Sequence, residues 1–218
     1  MLTDRPSLTR RLRVVAACGN GTAGAFAPKA LEMIGADVIP MDAELDYTFP
    51  RYNPNPEDMK MLHAIRDAVL EHGAEVGLGF DGDGDRCGVV DDTGDEIFAD
   101  KVGVMLARDM STLHPGATFV VDVKSTGLFA TDPVLKKNGA KTDYWKTGHS
   151  YMKRRTNELG AIAGFEKSGH FFFNAPLGRG YDDGIVAAGA VRPGRRSGRD
   201  DAALRAGGWA GLRVARHR

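Results

Sequence analysis

Little in this sequence pulls it away from the ordinary globular proteins. Two cysteines in 218 residues, Cys18 and Cys87, are too few for a disulfide framework, and both are expected as buried free thiols in a reducing compartment. No apolar stretch approaches the ~20 residues that cross a bilayer. Segment 1–13 is polar and basic and lacks the apolar heart of a signal peptide. The expectation is a cytoplasmic protein with no membrane partner. Lys+Arg and Asp+Glu number 29 each, so the formal net charge is +0. That balance removes the electrostatic footprint of a nucleic-acid binder. It also hides an asymmetry, because from Arg192 onward many arginines face only Asp200 and Asp201.

What is present is an alternation of short apolar runs with helical patterns. Strands are expected at 13–17, 37–40, 76–79 and 88–90, and helices at 23–34, 57–71 and 100–110. Met61, Leu62, Ile65, Ala68 and Val69 fall on one face of the second helix, with Gly73 as its stop. The proline-rich stretch 42–56 reads as a loop. The pattern then restarts, with strands at 118–121, 142–145, 161–164 and 170–173 and helices at 127–137, 151–159 and from 182. This argues an α/β fold with mostly parallel sheets, in two similar units. The division expected is 1–112, 113–191 and a tail, 192–218. The tail is rich in Arg, Gly and Ala, a composition that GC-rich DNA encodes out of frame, and it interrupts a helix just begun.

Between two expected strands stands Asp81-Gly82-Asp83-Gly84-Asp85-Arg86. Three carboxylates this close repel unless a cation sits among them. Hard oxygen ligands suit Mg²⁺, Ca²⁺ or Mn²⁺, and Mg²⁺ is expected for phosphoryl chemistry. Arg86 adds a fixed cation suited to a phosphate oxygen. An EF-hand is excluded, since Arg86 stands where the turn glycine belongs and Asp92 where the bidentate glutamate belongs.

Other signals are weaker alone. Gly19-Asn20-Gly21-Thr22-Ala23-Gly24 fits the dinucleotide fingerprint, with Asp37 or Asp42 as ribose partners, but serves equally as a tight strand-to-helix turn. Glu166, Ser168 and His170 alternate; in an extended segment they would share a face and suit sugar hydroxyls. His149 and Lys124 sit at strand-to-helix junctions where a phosphate could bind. In the 181–184 stretch, Tyr181-Asp182-Asp183-Gly184 reads as a helix N-cap with acidic residues in the first turn.

Together these motifs carry a resemblance. CGNGTAG (18–24), FPRYNPNPE (49–57), GFDGDGDR (79–86), DVKSTG (122–127), WKTGHS (145–150), GFEKSGHFFF (164–173) and YDDG (181–184) occur in the order found in the α-D-phosphohexomutases, and the sequence resembles their bacterial phosphomannomutase/phosphoglucomutase members over 11–190. The family has four domains around a cleft, and this chain looks like the second and third, two three-layer α/β/α domains with mixed, mostly parallel sheets. The resemblance implies that Asp81, Asp83 and Asp85 hold Mg²⁺ with Arg86 near the transferred phosphate. It implies that Glu166, Ser168 and His170 read the sugar, and that Lys124 and His149 line the cleft in acid/base or phosphate-contacting roles. Where many members have GEMSGH, Lys167 replaces the methionine. The implied reaction moves phosphate between O1 and O6 of mannose or glucose phosphate through a phosphoserine and a bisphosphate. The family's phosphoserine lies in a Ser-His-Asn-Pro context that no serine here has. The expected partners are a hexose phosphate and a separately encoded remainder of the enzyme. The alternatives are a non-catalytic remnant that binds Mg²⁺ and phosphosugar weakly and, more remotely, a dinucleotide-binding oxidoreductase.

Overall fold

Strand β1 (Leu12–Ala17) is buried along nearly its whole length, as a strand covered on both faces must be. It lies at the centre of a sheet ordered β2-β1-β3-β4-β5. Strands β2 (Ala36–Met41) and β3 (Val76–Phe80) flank it in parallel, and β4 (Cys87–Asp91) and β5 (Glu96–Ile97) continue the sheet antiparallel. A second sheet repeats the plan in the order β7-β6-β8-β9. Here β6 (Thr118–Asp122) is parallel to β7 (Lys141–Trp145) and β8 (Ala163–Phe165), and β9 (Phe171–Phe173) returns antiparallel. The expected pair of α/β units with mostly parallel sheets is what forms. The computed structural model describes residue 8, residues 10–193 and residues 212–214.

Helices cover both faces of each sheet, so that each unit has three layers. Helix α2 (Met59–His72) is capped by the Asp58 carboxylate, which accepts from Lys60 N–H at 2.8 Å, and stops at left-handed Gly73. It buries Met61, Leu62, Ile65 and Val69 against Val15 and Val90 on one face of the first sheet. Helix α6 (His149–Glu158) does the same for the second sheet, with Met152 against Val120 and Phe172. Between the sheets runs one continuous apolar cluster, from Val14 and Phe80 through Val104 and Ala107 of α3 (Ala99–Leu113) to Phe119, Phe165 and Ala187. Phe165 is its aromatic centre, with the rings of Phe119, Phe129, Phe171 and Phe173 between 5.5 and 6.4 Å away. α3 touches both β4 and β8, so it belongs to the packing of both units.

Two expected helices are broken, each at a proline. α1 (Ala27–Met33), with Pro28 in its first turn, follows a separate 3-10 turn at Thr22–Ala25. The helix expected at 127–137 splits into α4 (Leu128–Thr131) and α5 (Pro133–Lys137). Pro133 lacks the N–H that would continue α4, and Asp132 caps α5 by accepting from Val134 and Leu135 N–H. The last helix, α7 (Gly184–Ala190), packs on the first sheet, touching β3 and β4. After it β10 (Val191–Pro193) pairs antiparallel with β11 (Leu212–Val214). The rest of the tail expected at 192–218 lies outside the described residues. Among the described residues no helix is long and apolar enough to cross a membrane.

Candidate active site

The acidic loop joins β3 to β4 and is shaped by its first carboxylate. Asp81 is 3% exposed. Its Oδ1 accepts from the backbone N–H of Gly84 and Arg86, each at 3.1 Å, and its Oδ2 from Arg86 Nε at 2.5 Å. These bonds curl the loop until carboxylate oxygens of Asp81, Asp83 and Asp85 lie within 4.8 Å of one another. Asp83 is exposed and Asp85 half-buried. Asp85 Oδ1 is buried and accepts no hydrogen bond. Burial pushes the Asp85 carboxyl up to about 6, helped by Asp81, Asp83 and Asp182 and opposed by His170. An orphaned carboxylate oxygen among three converging hard ligands fits a divalent cation of the Mg²⁺ type.

Arg86 is more engaged than a free phosphate-binding cation. Besides pairing with Asp81 it donates from Nη1 to Asn55 Oδ1 at 3.1 Å, so it braces the acidic loop against the proline-rich loop, with 22% of its side chain accessible. The glycine turn at 18–24 is a second brace. Thr22 N–H donates to Gly82 O at 3.0 Å, and a Cβ on Gly21 would lie 2.7 Å from the same oxygen. Backbone of the acidic loop thus fills the space where a dinucleotide's pyrophosphate would approach these glycines, which accounts for the fingerprint as close packing.

The second unit brings its polar residues to the same place. Residues 166–170 form a tight turn between β8 and β9, with Gly169 N–H donating to Glu166 O at 3.1 Å and Glu166 N–H to His170 O at 3.0 Å. The extended geometry expected there does not form, because Gly169 takes a left-handed φ of 98° and reverses the chain. Glu166 therefore points inward, 1% exposed, and accepts from Gly148 N–H at the start of α6 at 2.6 Å. Its burial holds the carboxyl above the usual range. Ser168 and His170 stay half-buried.

His170 Nδ1 bonds Asp182 Oδ2 at 2.9 Å and stands 3.5 Å from Asp85 Oδ1. Burial disfavours the charged imidazole, but Asp182, Asp85 and Glu166 outweigh it and raise its pKa. Asp182 is disfavoured as a charge by burial too, yet the His170 bond holds it below the usual range. The exposed His149 stacks on His170 with ring centres 5.7 Å apart, and His149 Nδ1 and Lys153 Nζ each lie 3.8 Å from Asp182. Lys124 is exposed on the loop after β6, and among the described residues no hydrogen bond or ion pair ties its side chain to this group.

The two units meet through backbone. Arg86 and His170 form an antiparallel bridge, Cys87 N–H donates to Gly169 O at 3.4 Å, and Gly184 N–H to Gly84 O at 3.1 Å. A Cβ on Gly184 would lie 2.5 Å from Arg86 O. The acidic loop and the 166–170 turn therefore form one connected rim. Of the polar residues placed in this group, Asn55 and Asp182 were given no site role from the sequence. Asp182 lay within a motif already noted, but its neighbour Asp183 is the one that caps α7, accepting from Ile185 and Val186 N–H.

Residues 2–94 match the family model for phosphoglucomutase/phosphomannomutase, alpha/beta/alpha domain II, and residues 98–192 that for domain III. The chain is 40% identical over 181 residues to a phosphomannomutase/phosphoglucomutase of Pseudomonas putida, covering 83% of this chain and 38% of the relative. It is 39% identical over 180 residues to a phosphoglucomutase of Neisseria meningitidis, with the same coverage. A phosphoglucomutase/phosphomannomutase family protein from Burkholderia thailandensis superimposes with a TM-score of 0.81 at 35% identity, over 86% of this chain and 40% of that one. At 12% identity and a TM-score of 0.56, over 83% of this chain and 42% of that one, the fold is shared with Aspergillus fumigatus N-acetylphosphoglucosamine mutase, solved with GlcNAc-6P and magnesium. The chain thus spans 38% of the P. putida relative's length.

Proposed function

The chain belongs to the phosphoglucomutase/phosphomannomutase family through that family's second and third α/β/α domains, and on this footing we propose that it provides the cation loop and the sugar-reading turn of a cytoplasmic phosphohexomutase acting on mannose or glucose phosphate. The observation that carries the reading is the joined rim. Carboxylates that converge within 4.8 Å are held by backbone bonds to the turn that presents Ser168 and His170.

The residues divide the work. Asp81, Asp83 and Asp85 would hold Mg²⁺, which neutralises charge on the phosphoryl oxygens when bound. Asp81, locked by Arg86, fixes the loop before any ligand arrives. Arg86 presents the accessible part of its guanidinium beside the phosphoryl group. Ser168 and His170 meet sugar hydroxyls, and the buried Glu166 ties their turn to the start of α6 by accepting from Gly148 N–H. His149 and Lys124 place positive or hydrogen-bonding groups at the cleft for a phosphate dianion. Phosphate transfer between O1 and O6 through a bisphosphate depends on in-line positioning more than on new covalent chemistry from these residues. No serine in the sequence stands in a Ser-His-Asn-Pro context, so the phosphoserine comes from outside these 218 residues. On its own the chain binds Mg²⁺ and a phosphosugar weakly and does not turn over.

A coupled assay with glucose 1-phosphate and glucose 1,6-bisphosphate tests this. We expect no turnover by the chain alone, together with saturable Mn²⁺ binding that Asp83→Ala abolishes. Clear turnover would sink the non-catalytic reading, and undiminished Mn²⁺ binding by Asp83→Ala would sink the cation loop.

A further inference from the structure

Asp122 is the last residue of β6 and is fully buried. β6 lies between β7 and β8, and both run parallel to it. All three strands therefore end on the same edge of the sheet, and the segments after them leave side by side. The Asp122 carboxylate takes a bond from each. Oδ1 accepts from Ser125 Oγ in its own loop and from Lys167 N–H in the turn after β8, at 3.2 Å for the latter. Oδ2 accepts from Thr147 Oγ1, after β7, at 3.2 Å. Those three segments carry Lys124, His149, and Ser168 with His170. Among the described residues every donor on this buried carboxylate is uncharged, so the group is held by directed hydrogen bonds whose geometry it in turn dictates.

We propose that Asp122 is a positioning residue that sets the three sugar- and phosphate-facing loops of the second unit in register. It acts through Lys124, His149 and Ser168 without touching substrate. The proposal rests on the functional reading above for what those loops bind, but not for the coupling among them. Its signature is non-additivity, since Thr147 and Asp122 act through one bond. Asp122→Asn should also rescue what Asp122→Ala loses. The asparagine carbonyl can still accept from Lys167 N–H, while its amide donates to Thr147 Oγ1.

The test measures glucose 1-phosphate affinity, Mn²⁺ affinity and amide hydrogen exchange at Lys167 in the full chain, well below the melting temperature of every variant. We expect Thr147→Val to weaken glucose 1-phosphate binding about threefold and Asp122→Ala at least tenfold, with the double variant no weaker than Asp122→Ala. Asp122→Asn should return to within threefold of the parent, Mn²⁺ affinity should stay within twofold throughout, and exchange at Lys167 should speed up in Thr147→Val. If Asp122→Ala does not fold, Ser125→Ala and Thr147→Val carry the test, each expected to weaken sugar-phosphate binding and to speed Lys167 exchange. Additive effects, or unchanged Lys167 exchange in both single-donor variants, overturn the proposal. A parent chain that binds no glucose 1-phosphate counts against the proposed function instead, and Lys167 exchange then decides on Asp122 alone.

Discussion

His170 and Asp182 share a hydrogen bond of 2.9 Å at the junction of the two units. An ionised carboxylate only accepts, so the proton lies on His170 Nδ1 and Nε2 is the nitrogen left to accept a hydrogen bond. The pair raises the His170 pKa and lowers that of Asp182.

Asp182→Asn should lower the His170 pKa, read by NMR titration of its ring protons. The sign follows from both shifts. A raised His170 stabilises the fold fully below its unfolded pKa and loses that contribution as pH rises through the folded value. A depressed Asp182 stabilises above its unfolded pKa and loses it as pH falls through the folded one. The pair is therefore worth most in mildly acidic solution, and Asp182→Asn should flatten the stability profile there, at a cost of about 1.5–3 kcal/mol typical of a charged hydrogen bond.

Cation affinity should fall in acid. Asp85, with its carboxyl at about 6, must lose its proton to serve as a ligand. Mn²⁺ binding measured by paramagnetic relaxation should weaken about tenfold from pH 7 to pH 5 on that single proton. Metal-free stability should run the other way. Because the folded pKa is raised, the fold gains from Asp85 protonation as pH falls below about 6. Pure Asp85 control of affinity is refuted by equal binding at the two pH values.

Asp81 and Asp83 should separate stability from binding. Asp83 is exposed, and Asp83→Ala should change urea stability by less than about 0.5 kcal/mol while abolishing cation binding. Asp81→Ala strands the partly buried Arg86 guanidinium and should cost about 3 kcal/mol or more. Equal losses in the two variants would contradict the bracing role of Asp81.

Gly21→Ala and Gly184→Ala should each strain the acidic loop from one side, since the added methyl meets Gly82 O at 2.7 Å or Arg86 O at 2.5 Å. Overpacking against backbone should cost about 1–3 kcal/mol. Both variants should weaken Mn²⁺ binding although neither residue is a ligand, and unaltered affinity in both would show that the loop keeps its shape without these walls.

What could be read in the sequence was what is written locally. Alternating Asp and Gly between two apolar runs gave the acidic loop, and period and stop residues gave α2 nearly to its ends. The break at Pro133 was legible too, though the apolar pattern across it suggested one helix. The turn at 166–170 was signalled by Ser168-Gly169, a turn dipeptide, but alternation of Glu, Ser and His suggested an extended segment between two strands. Asp122 and Asp182 could not be found this way. Each matters because of donors that parallel strands or a second unit bring to it, and no spacing along one segment encodes those neighbours. The apolar cluster that joins the two sheets through α3 was hidden for the same reason, so the units looked more separate than they are.

The acidic loop is pressed between Gly21 on one side and Gly184 on the other. Its walls therefore come from opposite ends of the described chain. On the ribosome residues 81–85 emerge after the first wall and about a hundred residues before the second, so the bonds of Asp81 to Gly84 and Arg86 shape the loop first and α7 closes on it later. A chain that ends before residue 184 therefore contains all three carboxylates of the loop but only one of the two walls that press on it.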